Sequence, residues 1–155
     1  MCCIVKEGPS AGVSMVDASL IARRALELHR RKSGKIAVVG KVPVRTRRDL
    51  SLAYTPGVAA VSSAIAKRRS RVFDYTIKSH TVAVVTDGSA VLGLGNIGPE
   101  AALPVMEGKC LLLKSFANVD AFPIALATQD ADEIVSIVKA IAPVFGAINL
   151  EDISA

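Results

Sequence analysis

The pattern most suggestive of chemistry is the glycine-rich run GLGNIG at residues 93–98. It matches G-x-G-x-x-G, follows an apolar segment and precedes Asp120 by roughly 20 residues, as a dinucleotide-binding unit does. That function needs a helix that starts at the third glycine and points its N-terminus at a pyrophosphate. Pro104 and Gly108 predict that any such helix is broken early, because both residues disfavour a helix interior. The run therefore favours tight turns over nucleotide binding.

Four other residues carry groups that could act as an acid, a base or metal ligands: Tyr54, Lys109, Glu151 and Asp152. Apolar residues flank Lys109 on both sides, and the Glu151–Asp152 pair follows an apolar segment. A crowded lysine can serve as a base, a tyrosine phenol as a weak acid, and carboxylates as ligands of Mg²⁺ or Mn²⁺. Taken one at a time, each is more typical of a packing or surface position.

The elements that must position these groups alternate between strand-like and helix-like segments, which predicts an α/β domain. We expect a single domain with a mostly parallel or mixed sheet flanked by helices. Extended or loop structure is predicted from Pro43 to Asp49, and Thr55-Pro56 is typical of a helix start. Helices are predicted over 17–32, 56–67 and 131–141, and strands or strand-like runs over 35–40, 81–86, 111–113, 121–127 and 145–150.

Composition and charge narrow the class of protein. The chain has 155 residues, 51% of them hydrophobic and 21% charged, which suits one folded domain. Residues 1–80 carry 16 basic and 5 acidic side chains, whereas residues 81–155 carry 3 and 9. The basic clusters lack interleaved aromatic residues, so we expect no nucleic-acid partner. No apolar run is long enough to span a membrane, and three cysteines make no disulfide framework. A cytoplasmic protein is expected.

Several separate strips of sequence resemble the malic enzymes, the NAD(P)-dependent oxidative decarboxylases of malate. The strips are YTPGV at 54–58, TDGSAVLGLGNIGPEAALPVMEGK at 86–109, FANVDAFPI at 116–124 and INLEDISA at 148–155. The prokaryotic short form is the most similar. The resemblance implies that residues 16–155 are the amino-terminal substrate and dimerisation domain, and that the nucleotide-binding domain would begin after residue 155. Residues 1–15 are expected to be a leader or a cloning-derived segment.

The resemblance also implies roles for the four candidate residues. Tyr54 matches the general acid of the family, which protonates the enolpyruvate carbon after decarboxylation. Lys109 matches the general base, which takes the proton from the malate hydroxyl. Glu151 and Asp152 match two carboxylate ligands of the divalent metal, Mg²⁺ or Mn²⁺. The third metal carboxylate of the family lies further along the chain than this sequence extends.

The resemblance places the GLGNIG loop beside the substrate pocket, with Asp87 and Asn96 as pocket residues. It assigns no nucleotide-binding residue to this chain, because NAD or NADP is bound by the other domain. Long-form members have an arginine for the malate carboxylate where this chain has Ala90. The group that anchors the carboxylate here therefore stays open.

The implied partners are malate and pyruvate, with a homodimer as the assembly and with neither membrane nor nucleic acid. The chain alone is expected to be inactive, because it lacks the nucleotide site and one metal ligand. Two alternatives stay open. The first is a non-catalytic assembly or regulatory module derived from the same domain. The second is a small protein that binds NAD through GLGNIG.

Overall fold

The computed structural model describes residues 15–154, and the chain divides into two units at Gly34. The first unit contains helix α1 (Met15–Lys32). Two residues with positive φ follow it, Ser33 at 54° and Gly34 at 104°, a backbone conformation common at helix ends. The helix predicted over 17–32 is confirmed. The predicted leader, residues 1–15, lies outside the described residues except for Met15.

The second unit, residues 35–155, is built on a three-stranded parallel sheet. Its strands are β1 (Thr81–Thr86), β2 (Asp120–Ala125) and β3 (Ala147–Leu150), in the order β2-β1-β3. Helix α5 (Pro99–Ala117) connects β1 to β2, and helix α6 (Ala131–Ile141) connects β2 to β3. The predicted α/β class and parallel sheet are confirmed. Pro123 is tolerated because, in the sheet formed by residues 15–154, β2 is an edge strand paired with β1 alone.

The segment before the sheet is helical, with α2 (Arg47–Ala53), α3 (Val58–Lys67) and the short α4 (Val72–Tyr75). The prediction of extended or loop structure from Pro43 to Asp49 is confirmed up to Thr46 and is wrong from Arg47 onward, because Thr46 and Asp49 form a capping box that starts α2. The helix predicted over 56–67 is confirmed as α3, except that it begins at Val58 and not at Pro56. Residues 35–40 form no strand. They lack a partner strand among the described residues.

Helix α5 contradicts the prediction of a broken segment, because it runs for 19 residues through both Pro104 and Gly108. It also includes residues 111–113, which were predicted to be strand-like. Gly98, with φ at 81°, is its N-cap, and Pro99 occupies the first turn. The helix survives because a buried stripe of Ala102, Met106 and Cys110 packs on the sheet. This packing outweighs a proline penalty of about 3 kcal/mol.

The core covers both faces of β1, the central strand. On one face Val84 packs with Met106 and Cys110 of α5. On the other, Ala83 and Val85 pack with residues from the β2 end and α6, namely Leu126 and Ile134. A strand buried on both faces explains the nearly continuous apolar run of residues 81–86. Among the helices in residues 15–154, none is long and apolar enough to cross a membrane.

Candidate functional site

The candidate site lies at the carboxyl edge of the sheet, where the segments after β1 and β3 meet. The main-chain N–H of Ala90 donates to the carbonyl oxygen of Asp152 at 3.1 Å. The N–H of Ser154 donates to the hydroxyl oxygen of Ser89 at 2.7 Å. Parallel neighbours end at the same edge, so these bonds hold the acidic pair after β3 against the loop after β1.

Lys109 and Glu151 form an ion pair at this edge, with 3.1 Å between Nζ and Oε1. The second carboxylate oxygen of Glu151 accepts a hydrogen bond from the Asn149 amide at 2.9 Å, and the Glu151 N–H donates to Val85 at 2.9 Å. Both side chains are partly exposed, at 37% and 28%. The pair therefore brings together two predicted site residues that lie 42 positions apart in the sequence.

Asp152 follows Glu151 in the sequence but lines a different hollow. Burial raises the pKa of the Asp152 carboxyl, and the charge of Glu151 adds to this rise while Lys109 opposes it. Asp152 lines a hollow of about 360 Å³ with Ile134 and Leu150. Lys109 and Glu151 instead line a hollow of about 490 Å³ beside α5, called here the lysine hollow.

The donor set of Glu151 and Asp152 suits a hard divalent cation, because both residues offer carboxylate oxygens and sit next to each other. Within residues 15–154 no group of three His, Cys, Asp or Glu side chains is placed to hold a metal ion. The two carboxylates therefore fit part of a coordination sphere. Completing that sphere requires further ligands, such as water, substrate or other protein groups.

The two predicted pocket residues, Asp87 and Asn96, shape the loop between β1 and α5. Asp87 is buried, and its carboxylate accepts the N–H of Ser89 at 2.8 Å, as in an Asx-turn. Asn96 is exposed, and its amide exchanges two hydrogen bonds of 3.1 Å with the amide of Gln129. This pair joins the glycine loop to the segment after β2. Both assignments to a substrate pocket stay predictions.

Tyr54, the predicted acid, follows α2 and is 65% exposed. Its main-chain N–H donates to Leu50 at 2.8 Å, which ends the helix. Among residues 15–154, its hydroxyl makes no hydrogen bond, including to Lys109 or Glu151. The structure therefore joins the predicted base to a predicted metal carboxylate and leaves the predicted acid open to solvent.

Two polar residues at the site were missed by the sequence reasoning. Lys35 lines the lysine hollow together with Lys109 and Glu151. Gln129 pairs with Asn96, as described above. Their partners lie 33 or more positions away, so no local spacing marks either residue. The spacing of Val105, Lys109 and Leu112 places them on one face of helix α5, and this is the one feature of the sequence that indicates the lysine hollow.

The malic enzyme N-terminal domain family matches residues 33–155 of the chain, well over half of its length. The chain belongs to the malic enzyme family. Among relatives, a bifunctional malic/malolactic enzyme of Bacillus subtilis is 61% identical over 135 residues, which cover 87% of this chain and 33% of the relative. An NAD-dependent malic enzyme of Geobacillus stearothermophilus is 66% identical over 122 residues, covering 79% and 26%.

Solved structures give the same result for this malic enzyme domain. The crystal structure of a malic enzyme from Pyrococcus horikoshii matches with a TM-score of 0.85 and 55% identity, covering 87% of this chain and 32% of that one. The crystal structure of the Entamoeba histolytica malic enzyme matches with a TM-score of 0.84 and 32% identity, covering 94% of this chain and 32% of that one. The chain thus spans a third or less of the length of the relatives named here, and it corresponds to their N-terminal domain.

Proposed function

We propose that residues 16–155 form the substrate-side domain of an NAD(P)-dependent malic enzyme, which converts malate to pyruvate and CO₂. The observation that carries this proposal is the 3.1 Å pair between Lys109 and Glu151 at the carboxyl edge of the sheet. It places a candidate base next to a candidate metal ligand. Ligand sites of open parallel sheets usually lie at this edge.

In the proposed reaction, Lys109 takes the proton of the malate C2 hydroxyl as hydride leaves C2 for the nicotinamide. In the ion pair with Glu151 at 3.1 Å, Lys109 is a protonated ammonium group that is still 37% exposed at the edge of the lysine hollow. It would have to release this proton to solvent before it takes the hydroxyl proton, and a divalent cation that bound the Glu151 carboxylate would favour that release. A base must lie within hydrogen-bond reach of the proton that it removes. The position of Lys109 on the rigid 19-residue helix α5 supports that requirement.

Tyr54 is proposed as the acid that donates a proton to the substrate carbon after CO₂ departs. Its exposed hydroxyl is free of hydrogen bonds to residues 15–154. The loop that contains Asp87 and Asn96 is proposed to border the substrate. Its main chain is held by Ala90 and Ser89 against the segment after β3, which keeps the loop next to the acidic pair.

Glu151 and Asp152 are proposed to hold Mg²⁺ or Mn²⁺, which would polarise the substrate oxygen and stabilise developing negative charge when bound. A divalent cation also relieves the repulsion between these adjacent carboxylates, which contributes to the raised pKa of Asp152. NAD or NADP is proposed to bind outside residues 16–155, in the domain that follows this one in the relatives. Residues 1–155 alone are then expected not to reduce either nucleotide with malate.

We also propose a homodimer located in the cytoplasm. Large apolar side chains are exposed on the helical segment before the sheet, among them Leu52 at 70% and Tyr75 at 51%, and Phe116 of α5 is 84% exposed. Exposed apolar surface of this kind is typical of an interface. A second copy of the chain or the nucleotide-binding domain would cover it.

The test replaces Lys109 with alanine in the complete polypeptide that carries this chain. If that polypeptide ends at Ala155, the nucleotide-binding domain of the B. subtilis relative is supplied in frame. Malate-dependent reduction of NAD and NADP is measured with Mg²⁺ or Mn²⁺, and we expect Lys109→Ala to lower kcat by about a hundredfold or more. Lys139→Ala, which removes an exposed lysine of α6, is the matched control and should change little.

A non-catalytic assembly or regulatory module is the second candidate. The exposure of Tyr54, without a hydrogen bond to Lys109 or Glu151, is the observation that favours it. It predicts that Lys109→Ala and Lys139→Ala behave alike, with neither affecting any turnover. A malate-dependent rate that survives Lys109→Ala would therefore contradict the catalytic role. NAD binding through GLGNIG predicts that the nucleotide stabilises residues 1–155 on their own.

A further inference from the structure

The lysine hollow contains a second cationic side chain that no step of the proposed reaction uses. Lys35 lines it together with Lys109 and Glu151, and Val105 and Leu112 contribute apolar walls. The hollow has a volume of about 490 Å³. The hollow is wide open to solvent and is not an enclosed cavity.

Lys35 is held in place by two contacts with α5, although it lies about 70 positions earlier in the chain. Its main-chain N–H donates to Oε2 of Glu107 at 2.8 Å, and its Nζ donates to the carbonyl oxygen of Pro104 at 2.5 Å. An ammonium group has three N–H donors. Among the described residues, only the Pro104 bond uses one of them, so two remain for a ligand.

A glycine keeps this ammonium accessible. A Cβ atom built at Gly108 would lie 3.7 Å from the Nζ of Lys35, which is ordinary van der Waals contact. Gly108 therefore lies beside the ammonium group and places no side chain against it. Lys35 is half-buried as a residue, but the bond from its Nζ to Pro104 is exposed, so the charge stays in contact with solvent.

The two lysines of the hollow differ in whether a carboxylate pairs with their positive charge. Lys109 is paired with Glu151, whose two carboxylate oxygens accept from Lys109 and from Asn149. Glu107 accepts the main-chain N–H of Lys35, whereas the Lys35 ammonium contacts a carbonyl oxygen alone within residues 15–154. In the described part of the chain, Lys35 therefore brings to the edge of the hollow a positive charge with no carboxylate in an ion pair with it. Such a charge suits an anionic ligand.

We propose that Lys35 binds a carboxylate of the dicarboxylate substrate and thereby selects malate over 2-hydroxy acids with one carboxylate. This inference rests on the proposed function. It also assigns a group to the malate carboxylate, for which this chain has Ala90 in place of the arginine of long-form members. In this arrangement Lys35 is a binding and specificity residue, while Lys109 performs the proton transfer next to it.

The test compares Lys35→Met and Lys35→Gln with Lys139→Met in the same complete polypeptide. With the positive charge gone, we expect the KM for L-malate to rise about tenfold to a hundredfold and kcat to stay within a few-fold. The KM for the nucleotide should not change. Lys35→Arg, which restores the charge, should recover most of the affinity, and calorimetric titration with L-malate should show the same order of affinities.

The outcomes separate this inference from the proposed function. If Lys35→Gln keeps the wild-type KM for malate while Lys109→Ala abolishes turnover, the role of Lys35 is refuted and the enzyme assignment stands. If the wild-type polypeptide does not oxidise malate, the proposed function itself fails. If Lys35→Met loses its fold by circular dichroism, the comparison of Lys35→Gln with Lys35→Arg decides, because only the charge-dependent role predicts that arginine is better than glutamine.

Discussion

Gly88, in the loop after β1, provides a sharp test of how this site is built. Its φ is +70°, and a Cβ atom added there would lie 2.2 Å from the carbonyl oxygen of Gly98. Gly93 is a matched control, because its φ is +78° and a Cβ atom there would meet nothing within 4 Å. The two positions thus share the same backbone restriction but differ in available space.

The expected loss of stability follows from the positive φ and from the space around the added Cβ atom. Alanine at positive φ costs about 1–2 kcal/mol, and the stiffer unfolded chain offsets about 0.4–1 kcal/mol of it. Gly93→Ala should therefore lower the free energy of unfolding by about 1 kcal/mol. Gly88→Ala must also move the Gly98 carbonyl, and the carbonyl of Gly88 accepts N–H bonds from Ile97 and Gly98 at 3.1 and 3.2 Å. Disturbing two such bonds brings the total to about 3 kcal/mol or more.

Urea unfolding followed by circular dichroism measures both variants of residues 1–155. We expect Gly88→Ala to be less stable than Gly93→Ala by about 2 kcal/mol, with similar m-values. In the complete polypeptide, Gly88→Ala should also reduce malate turnover, because the displaced loop holds Asp152 through Ala90. Equal losses of stability within about 0.5 kcal/mol would refute the close approach of Gly88 and Gly98.

Three further predictions concern the elements that support the site. Met106→Ala should lower the free energy of unfolding by about 2–5 kcal/mol, whereas Val105→Ala, at a position that is 43% exposed, should lower it by less than about 1 kcal/mol in the same urea titration. Burial raises the pKa of the Cys110 thiol to about 11, so iodoacetamide at pH 8 should modify it only after unfolding, as mass spectrometry would show. The N–H of Arg45 holds the pKa of Asp49 below its ordinary value, so its support of α2 is complete above pH about 4 and is lost as the pH falls through the lowered pKa. Amide exchange in α2 should then be faster in Asp49→Asn than in the wild type at pH 6, and this difference should shrink in acid.

Part of the fold could be predicted because its signals are local. The apolar run of β1 and the Asp130 cap of α6 are both confirmed, and the cap accepts the N–H of Glu133 at 2.8 Å. Helix α5 could not be predicted in the same way. Pro104 and Gly108 weaken the local helix signal, and the packing of Met106 against the sheet outweighs that weakness. Propensity is a weak prior when tertiary burial opposes it.

The candidate site, like the fold, could be predicted from the sequence only in part. The resemblance marked Tyr54, Lys109, Glu151 and Asp152. The structure brings Lys109 to 3.1 Å from Glu151 and leaves Tyr54 65% exposed. The separate hollow of Asp152 and the position of Lys35 beside α5 were not predicted. Both depend on which side of a helix or strand end faces which neighbour. A residue pattern without a three-dimensional partner does not contain that information.

The sequence by itself determined the family and the α/β class, because motifs and hydrophobic periodicity are properties of neighbouring residues. It also determined which residue types can act as base, acid and metal ligands. Only the tertiary structure decided that α5 is one continuous helix and that Lys35 shares a hollow with Lys109 and Glu151. The physical reason is that burial and charge pairing depend on contacts between residues far apart in the chain. Those contacts exist only once the sheet has assembled.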